Sequence, residues 1–283
     1  MRLGDGISLI KQTINNFFSD EVMTGAAALA FYSALSLAPL VLLFVSVAGM
    51  LGNNAQAAIV QQFGALVGPE GGRAISLIVS SADRDKATGS LASIVSLSVL
   101  IFSASAVFGQ LQTVLNKIFR VQPKPGLGVM AWLISRLFSI GILFALGFVM
   151  LVSLIISSVL TMISPQGEGP LWNIVNVLAS TTVFSLFFAV VYKQLPDVKI
   201  AWRDTWIGAL LTASLFSFGK FLIGLYLGSS AIGSAYGAAG SLIVLLVWVY
   251  YSSILIFFGA ELTKSILIKY GRGIQPDHYA HIK

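Results

Sequence analysis

The stretch 241–264, "SLIVLLVWVYYSSILIFFGAELTK", decides the fold. From Ser241 to Ala260 it carries no charged side chain, and charge returns only at Glu261 and Lys264. A bilayer core needs roughly 20 apolar residues in a helix, so this stretch reads as a membrane span over 241–263. Working outward, five more segments meet the same test: 23–51, 88–115, 133–162, 172–193 and 205–228. The breaks between them fit turns. Gly52-Asn53-Asn54 ends the first, Pro123-Lys124-Pro125-Gly126 follows the second, and Pro165 and Pro170 bracket the third loop. Pro196-Asp197 follows the fourth, and the glycine-rich "GSSAIGSAYGAAG" (228–240) makes a hairpin between the last two. The expected fold class is all-α: a polytopic membrane protein with six transmembrane helices.

Composition supports this. The 283 residues are 57% hydrophobic and 10% charged, against about 25% charged for a soluble domain. So few charges cannot cover a water-facing surface. There is no Cys, which excludes a disulfide framework, a thiolate metal site and a Cys nucleophile. The net charge of +6 fits basic cytoplasmic loops against anionic lipid better than nucleic acid. Arg2 and Lys11; Lys117, Arg120, Lys124 and Arg136; Lys193, Lys199 and Arg203; and Lys264, Lys269, Arg272 and Lys283 all fall on one side of the six spans. Arg73, Arg84 and Lys86 fall on the other. The positive-inside rule then puts both termini in the cytoplasm.

Three regions follow. Residues 1–21 lack the apolar run and small-residue site of a signal peptide. Ile7, Ile10, Ile14, Phe17 and Phe18 recur at helical spacing with Lys11, Gln12, Asn15 and Asn16 opposite, which predicts a cytoplasmic amphipathic helix. It either lies in the interface or packs on a cytoplasmic face. Residues 22–264 form the six-span membrane domain. Its outer loop, 52–87, has two apolar stripes that predict short interfacial helices, with a re-entrant pair as the sharper alternative. Residues 265–283 form a basic cytoplasmic tail.

Within the spans the charged residues are Lys220 and, near an end, Glu261. A mid-membrane Lys costs about 2.5–3.5 kcal/mol on insertion scales. Lys220 lies eight residues before Gly228, or about 12 Å from the outer interface. Side chains on a helix lean toward its N-terminus, so Lys220 leans away from the nearer exit. An internal position facing a polar cavity or partner is expected over snorkelling. Glu261 has a bland reading, an i, i+3 pair with Lys264. Its functional reading is a cytoplasmic gate or the capture of a cation from another span, because a Glu in a last turn opposes the helix dipole. Pro39 removes a backbone hydrogen bond and predicts a kink in the first span, with Tyr32, Ser33 and Ser36 near the freed carbonyl. Tyr226, Tyr236 and Tyr251 read as interface belt, whereas Trp248 and Tyr250 sit deep enough to need a hydrogen-bond partner. Gly224 and Gly228 form a GxxxG close-packing face.

Catalytic constellations are absent from the sequence. His278 and His281 have no accompanying ligand set, no phosphate-binding loop occurs, and no cofactor or metal is expected.

Four stretches carry a resemblance over essentially the whole chain: "AALAFYSALSLAPLVLLFVSVAGML" (27–51), "YKQLPDVKIAWRDTWIGALL" (192–211), "FGKFLIGLYL" (218–227) and "YGAAGSLIVLLVWVYYSSILIFFGAEL" (236–262). Together they resemble the YihY/BrkB family of bacterial inner-membrane proteins. The resemblance implies a six-span fold in the bacterial inner (cytoplasmic) membrane. It places Lys220, Tyr226, Tyr236, Gly237, Trp248, Tyr250, Gly259, Ala260 and Glu261 on the family's recognisable positions. The family has carried the labels ribonuclease BN and virulence factor. This chain lacks a ligand set for phosphodiester hydrolysis, so a non-enzymatic role is expected. Three functions compete: a secondary transporter or exporter of a small molecule using Lys220, a structural or lipid-interacting envelope protein, and, last, a membrane ribonuclease. The transport and binding candidates are Lys220, Glu261, Tyr32, Ser36, Pro39, Tyr226, Tyr236, Trp248 and Tyr250. The expected partners are the bilayer, anionic lipid at the basic loops and a second copy of the chain, with no nucleic acid.

Overall fold

The computed structural model describes residues 3–51, 76, 106–124, 170–229, 238–270, 273–277 and 280–282. These are mainly helical. In chain order they form α1 (Leu3–Ser19), α2 (Val22–Leu51), α3 (106–119), β1 (Val121–Pro123), α4 (Pro170–Gln194), α5 (Trp202–Ser229), α6 (Ala238–Lys269) and β2 (Ala280–Ile282). The outer loop 52–87, the span expected at 133–162, most of 88–115 and most of the hairpin 228–240 lie outside the described residues.

Long apolar runs without internal Gly-Pro pairs make α2, α4, α5 and α6 helical, since only a helix satisfies its own backbone in lipid. Among the described residues, Val177–Gln194 of α4 and Ile243–Lys269 of α6 are long and apolar enough to cross a membrane, and Val22–Ser36 of α2 is a shorter apolar helix. Their outward faces are apolar. Phe31 and Leu35, Val177 and Leu178, Trp206 and Leu210, and Ile243 and Val247 are all exposed. The interior, by contrast, admits hydroxyls. Ser185, Thr212, Ser253 and Thr263 are buried, and each donates to the carbonyl four residues earlier, at 2.6–2.8 Å. That pattern suits a protein whose surroundings are as apolar as its core.

α6 runs past the expected end of its span to Lys269 and through the boundary placed at 264. Glu261 is therefore about two turns inside the helix, and the last-turn dipole argument does not apply to it. α2 is continuous through Pro39.

α1 packs through Leu9, Thr13 and Phe17, which are buried, while Ile7, Ile10, Ile14 and Phe18 are exposed. The expected stripe thus divides. Phe17 turns inward, 5.9 Å from the Phe258 ring, and Leu9 joins Leu262 and Ile266 of α6 in a small core completed by Leu211. The remaining apolar row faces outward beside exposed Lys11, the arrangement of a helix with one face on protein and one at a lipid interface.

The chain divides into two compact units. One comprises Met1–Met23, Leu111–Ser217 and Ile254–Lys283. The other comprises Thr24–Gln110 and Phe218–Ser253. In the first unit the two strands pair antiparallel, with Gln122 opposite His281, and Val198 bridges Pro276. In the second, the Tyr251 ring occupies the space a side chain at Gly219 would need, and Trp248 is buried with its ring 6.3 Å from that of Tyr251.

Candidate functional site

The site begins with two corners. α1 ends where the Asp20 and Glu21 amides donate to Asn16 and Phe18 carbonyls, and Glu21 takes φ of 52°. α3 ends where the Arg120 amide donates to Lys117 at φ of 55°. Both are left-handed positions filled without glycine, at a cost of roughly 1–2 kcal/mol each. A salt bridge of 2.8 Å from Lys117 to Glu21 ties the corners together, and its hydrogen bond holds the Glu21 carboxyl below the usual range. The second effect of the first corner is to point Asp20 at α6.

There Lys264 Nζ donates to Asp20 Oδ2 at 2.7 Å. The same Nζ lies 3.1 Å from Glu261 Oε2 and 3.5 Å from Oε1. The shorter approach is not aligned as a hydrogen bond: the aligned one goes to Oε1, and Oε2 is buried with no hydrogen-bond partner. The ammonium directs its shortest hydrogen bond at Asp20. The side chains of Glu261, Lys264 and Asp20 are 0%, 2% and 13% exposed. Burial pushes the Asp20 carboxyl up. The hydrogen bond from Lys264, with the charges of Lys264 and Arg120, outweighs that and holds it below the usual range. One ammonium thus faces two carboxyl groups out of water.

Beside this cluster, α5 and α6 meet through a repeated pattern, Gly208-x-x-x-Thr212 and Gly259-x-x-x-Thr263. A Cβ at Gly208 would meet Thr263 Oγ1 and lie 2.6 Å from the Gly259 carbonyl oxygen. A Cβ at Gly259 would meet Thr212 Oγ1 and the Tyr192 hydroxyl. Tyr192, fully buried on α4, has one hydroxyl hydrogen for two acceptors, the Ile256 carbonyl at 2.8 Å and Thr212 Oγ1 at 2.7 Å, because the Thr212 hydrogen goes to the Gly208 carbonyl. Helices in lipid associate by such small-residue contact.

A second polar knot lies at Leu195-Pro196-Asp197. Gln112 and Asn116 donate to the Asp197 carboxylate at 3.1 and 2.7 Å, and the Asp197 amide donates back to Asn116. Burial raises the Asp197 carboxyl, these hydrogen bonds oppose the rise, and the Asp277 charge adds to it. The Asp277 amide donates to the Asp197 carbonyl, and the Lys199 amide to Gln275, so the tail is stapled across this loop.

Of the expected site residues, Glu261 does pair with Lys264, and the same Lys264 also binds Asp20, a residue outside the expected set. The two carboxyls are 241 residues apart, so no local spacing joins them. The one available signal was the acidic pair Asp20-Glu21 directly before a span. Ser36 is buried and donates to the Ser33 carbonyl at 3.0 Å. Tyr32 is exposed, its ring edge-on to Phe31. Trp248 is buried and Tyr250 half-buried. Lys220 and Tyr226 are on α5 and Pro39 is on α2, but their side chains lie outside the described residues, as does Tyr236. Among the described residues, no group of three or more His, Cys, Asp and Glu comes together to hold a metal.

The family model described as Virulence factor BrkB matches residues 13–280. The chain belongs to the BrkB family. BrkB-family relatives agree along much of its length. A UPF0761 membrane protein of Delftia acidovorans is 29% identical over 59% of the chain and 40% of its own length. One of Pseudomonas paraeruginosa is 26% identical over 91% of the chain and 62% of its own length. One of Pseudoalteromonas translucida is 26% identical over 90% of the chain and 84% of its own length. The chain thus spans less than two thirds of the length of the first two of these relatives. No solved structure matches. This BrkB-family chain is a membrane protein, in keeping with its outward apolar faces.

Proposed function

We propose that this protein is a secondary transporter or exporter of a small molecule in the bacterial inner membrane, with six spans and both termini in the cytoplasm. The observation that carries this reading is the buried Glu261–Lys264 pair, with Asp20, inside a helix long and apolar enough to span. Ionisable groups are expensive in lipid and mark substrate and ion routes. A chain that needed α6 only as an anchor would have no use for two buried ionisable groups tied to a third on another segment. Lys220, on α5, supplies a second cation for an anionic substrate group. We propose no enzymatic activity, ribonuclease included. A structural, lipid-holding role is the second reading, favoured by the exposed apolar row Ile7, Ile10, Ile14 and Phe18 on α1.

The absence of cysteine makes the test direct. Lys220→Cys introduces a single thiol, and Ser234→Cys serves as the outside control. Labelling intact cells with a small impermeant thiol reagent should modify Lys220→Cys from one face of the membrane at a rate near the control. No labelling from either face, in a folded variant whose control reacts, would leave no water-filled route and hand the case to the structural reading.

A further inference from the structure

We propose that Asp20 and Glu261 together bind one exchangeable proton, held between their carboxyl groups with Lys264 Nζ beside both. The argument starts from charge. Two ionised carboxylates and one ammonium sum to −1, and a net charge out of water costs several kcal/mol. One proton brings the sum to zero. Geometry agrees with the count. Lys264 Nζ stands 2.7 Å from Asp20 Oδ2 and 3.1 Å from Glu261 Oε2, so both carboxyl groups crowd one ammonium. Glu261 Oε2 is buried and has no aligned hydrogen bond, only the 3.1 Å approach of the shared ammonium, so the proton-free form would leave this oxygen poorly satisfied.

The neighbours of the pair are accounted for. Lys264 comes from α6 itself, Asp20 from the α1–α2 corner, and Arg120 from the end of α3, acting on Asp20 through its charge. Glu21 and Lys117 are spent on each other. Tyr192 of α4 is spent on Ile256 and Thr212. The hydroxyl groups near by on α6, Thr263 and Ser265, carry no charge. Only O–H bonds change in the cycle: Glu261 passes the proton to the Asp20 carboxylate, and Asp20, the most exposed of the three, passes it to water. Losing the proton leaves two carboxylates competing for one ammonium, so the corner is held on α6 when the proton is bound and released when it leaves. This deepens the transport reading by naming the coupled ion as a proton.

Infrared spectroscopy of the full chain in lipid nanodiscs reads the site without any substrate. At neutral pH the wild type should show a protonated-carboxyl carbonyl band that shifts when glutamate is labelled with heavy carbon at its carboxyl. No variant is needed for this step, so misfolding cannot mimic the result. No label-sensitive band in the folded wild type overturns the proposal. Glu261→Gln should remove the band; persistence would assign it to Glu21, Glu70 or Glu168 and overturn it. Asp20→Asn should also remove it, because one carboxylate then balances one ammonium. Lys264→Met should retain it, because two carboxyls without an ammonium need a proton still more. A band kept in Asp20→Asn or lost in folded Lys264→Met refutes the pair. The spectrum reads no flux, so it stands or falls apart from the accessibility test at Lys220.

Discussion

Replacing Gly259 with Ala places one methyl group where the structure has no room for it. The new Cβ would meet the Tyr192 hydroxyl and Thr212 Oγ1, and it would sit 3.1 Å from the Gly208 carbonyl oxygen. Rotamer changes offer little relief. Tyr192 is fully buried and its hydroxyl hydrogen lies between the Ile256 carbonyl and Thr212 Oγ1, and Thr212 is held to the Gly208 carbonyl. Either those bonds break or α5 and α6 separate. Overpacking costs about 1–3 kcal/mol and two lost hydrogen bonds about 1 kcal/mol each, which gives roughly 3–5 kcal/mol. Reversible unfolding in mixed micelles, followed by circular dichroism, measures the difference. Gly6→Ala is the control, because a Cβ there meets nothing within 4 Å. In a Tyr192→Phe background the Gly259→Ala cost should fall by about 1–2 kcal/mol, since the hydroxyl it strikes is gone. A Gly259→Ala loss below about 1 kcal/mol, or no change in the Phe background, would refute the close-contact account.

Two further outcomes test the corner at Asp20 and the knot at Asp197. Asp197→Asn turns an amide donor toward Gln112 or Asn116, so it should cost about 1–3 kcal/mol and speed limited proteolysis of residues 273–282; unchanged cleavage would mean that the knot does not hold the tail. The Asp20 carboxyl is lowered in the folded protein, so its contribution is complete above the unfolded value of about 3.9 and is lost as pH falls through the lower folded value. The unfolding midpoint of the wild type should therefore drop steeply below about pH 4, while that of Asp20→Asn falls less; parallel curves would remove Asp20 from the acid limb.

Hydropathy made the helices legible. The expected segments 23–51, 172–193, 205–228 and 241–263 correspond to α2, α4, α5 and α6 with ends displaced by a few residues, apart from the extension of α6 to Lys269. That extension was hidden because Glu261 and Lys264 look like the end of a lipid-facing run, whereas here they face protein. The i, i+3 pairing was readable from spacing. Its third member was not, because Asp20 reaches it through a left-handed corner at Glu21, a residue type that seldom adopts that backbone. A close-packing face at Gly208 and Gly259, with threonines at the fourth position, went unread for a related reason: it does not match the familiar GxxxG that Gly224 and Gly228 spell. Those threonines pass for ordinary polar residues until their hydroxyls are seen folded back on the helix. In α1, sequence gave the period but not the direction: two faces are apolar, and only packing shows that Leu9 and Phe17 take the inner one.

The ties that close the first unit share a timing. Asp20 waits for Lys264, Val121–Pro123 waits for Ala280–Ile282, and the 195–199 loop waits for 275–277. Each joins an early segment to one that leaves the ribosome among the last of this sequence. The helices before α6 must therefore form while these polar ends are still unmatched. A stalled or truncated chain would carry a lone Asp20 and an unstapled 195–199 loop, surfaces by which quality-control machinery could tell an unfinished copy from a finished one.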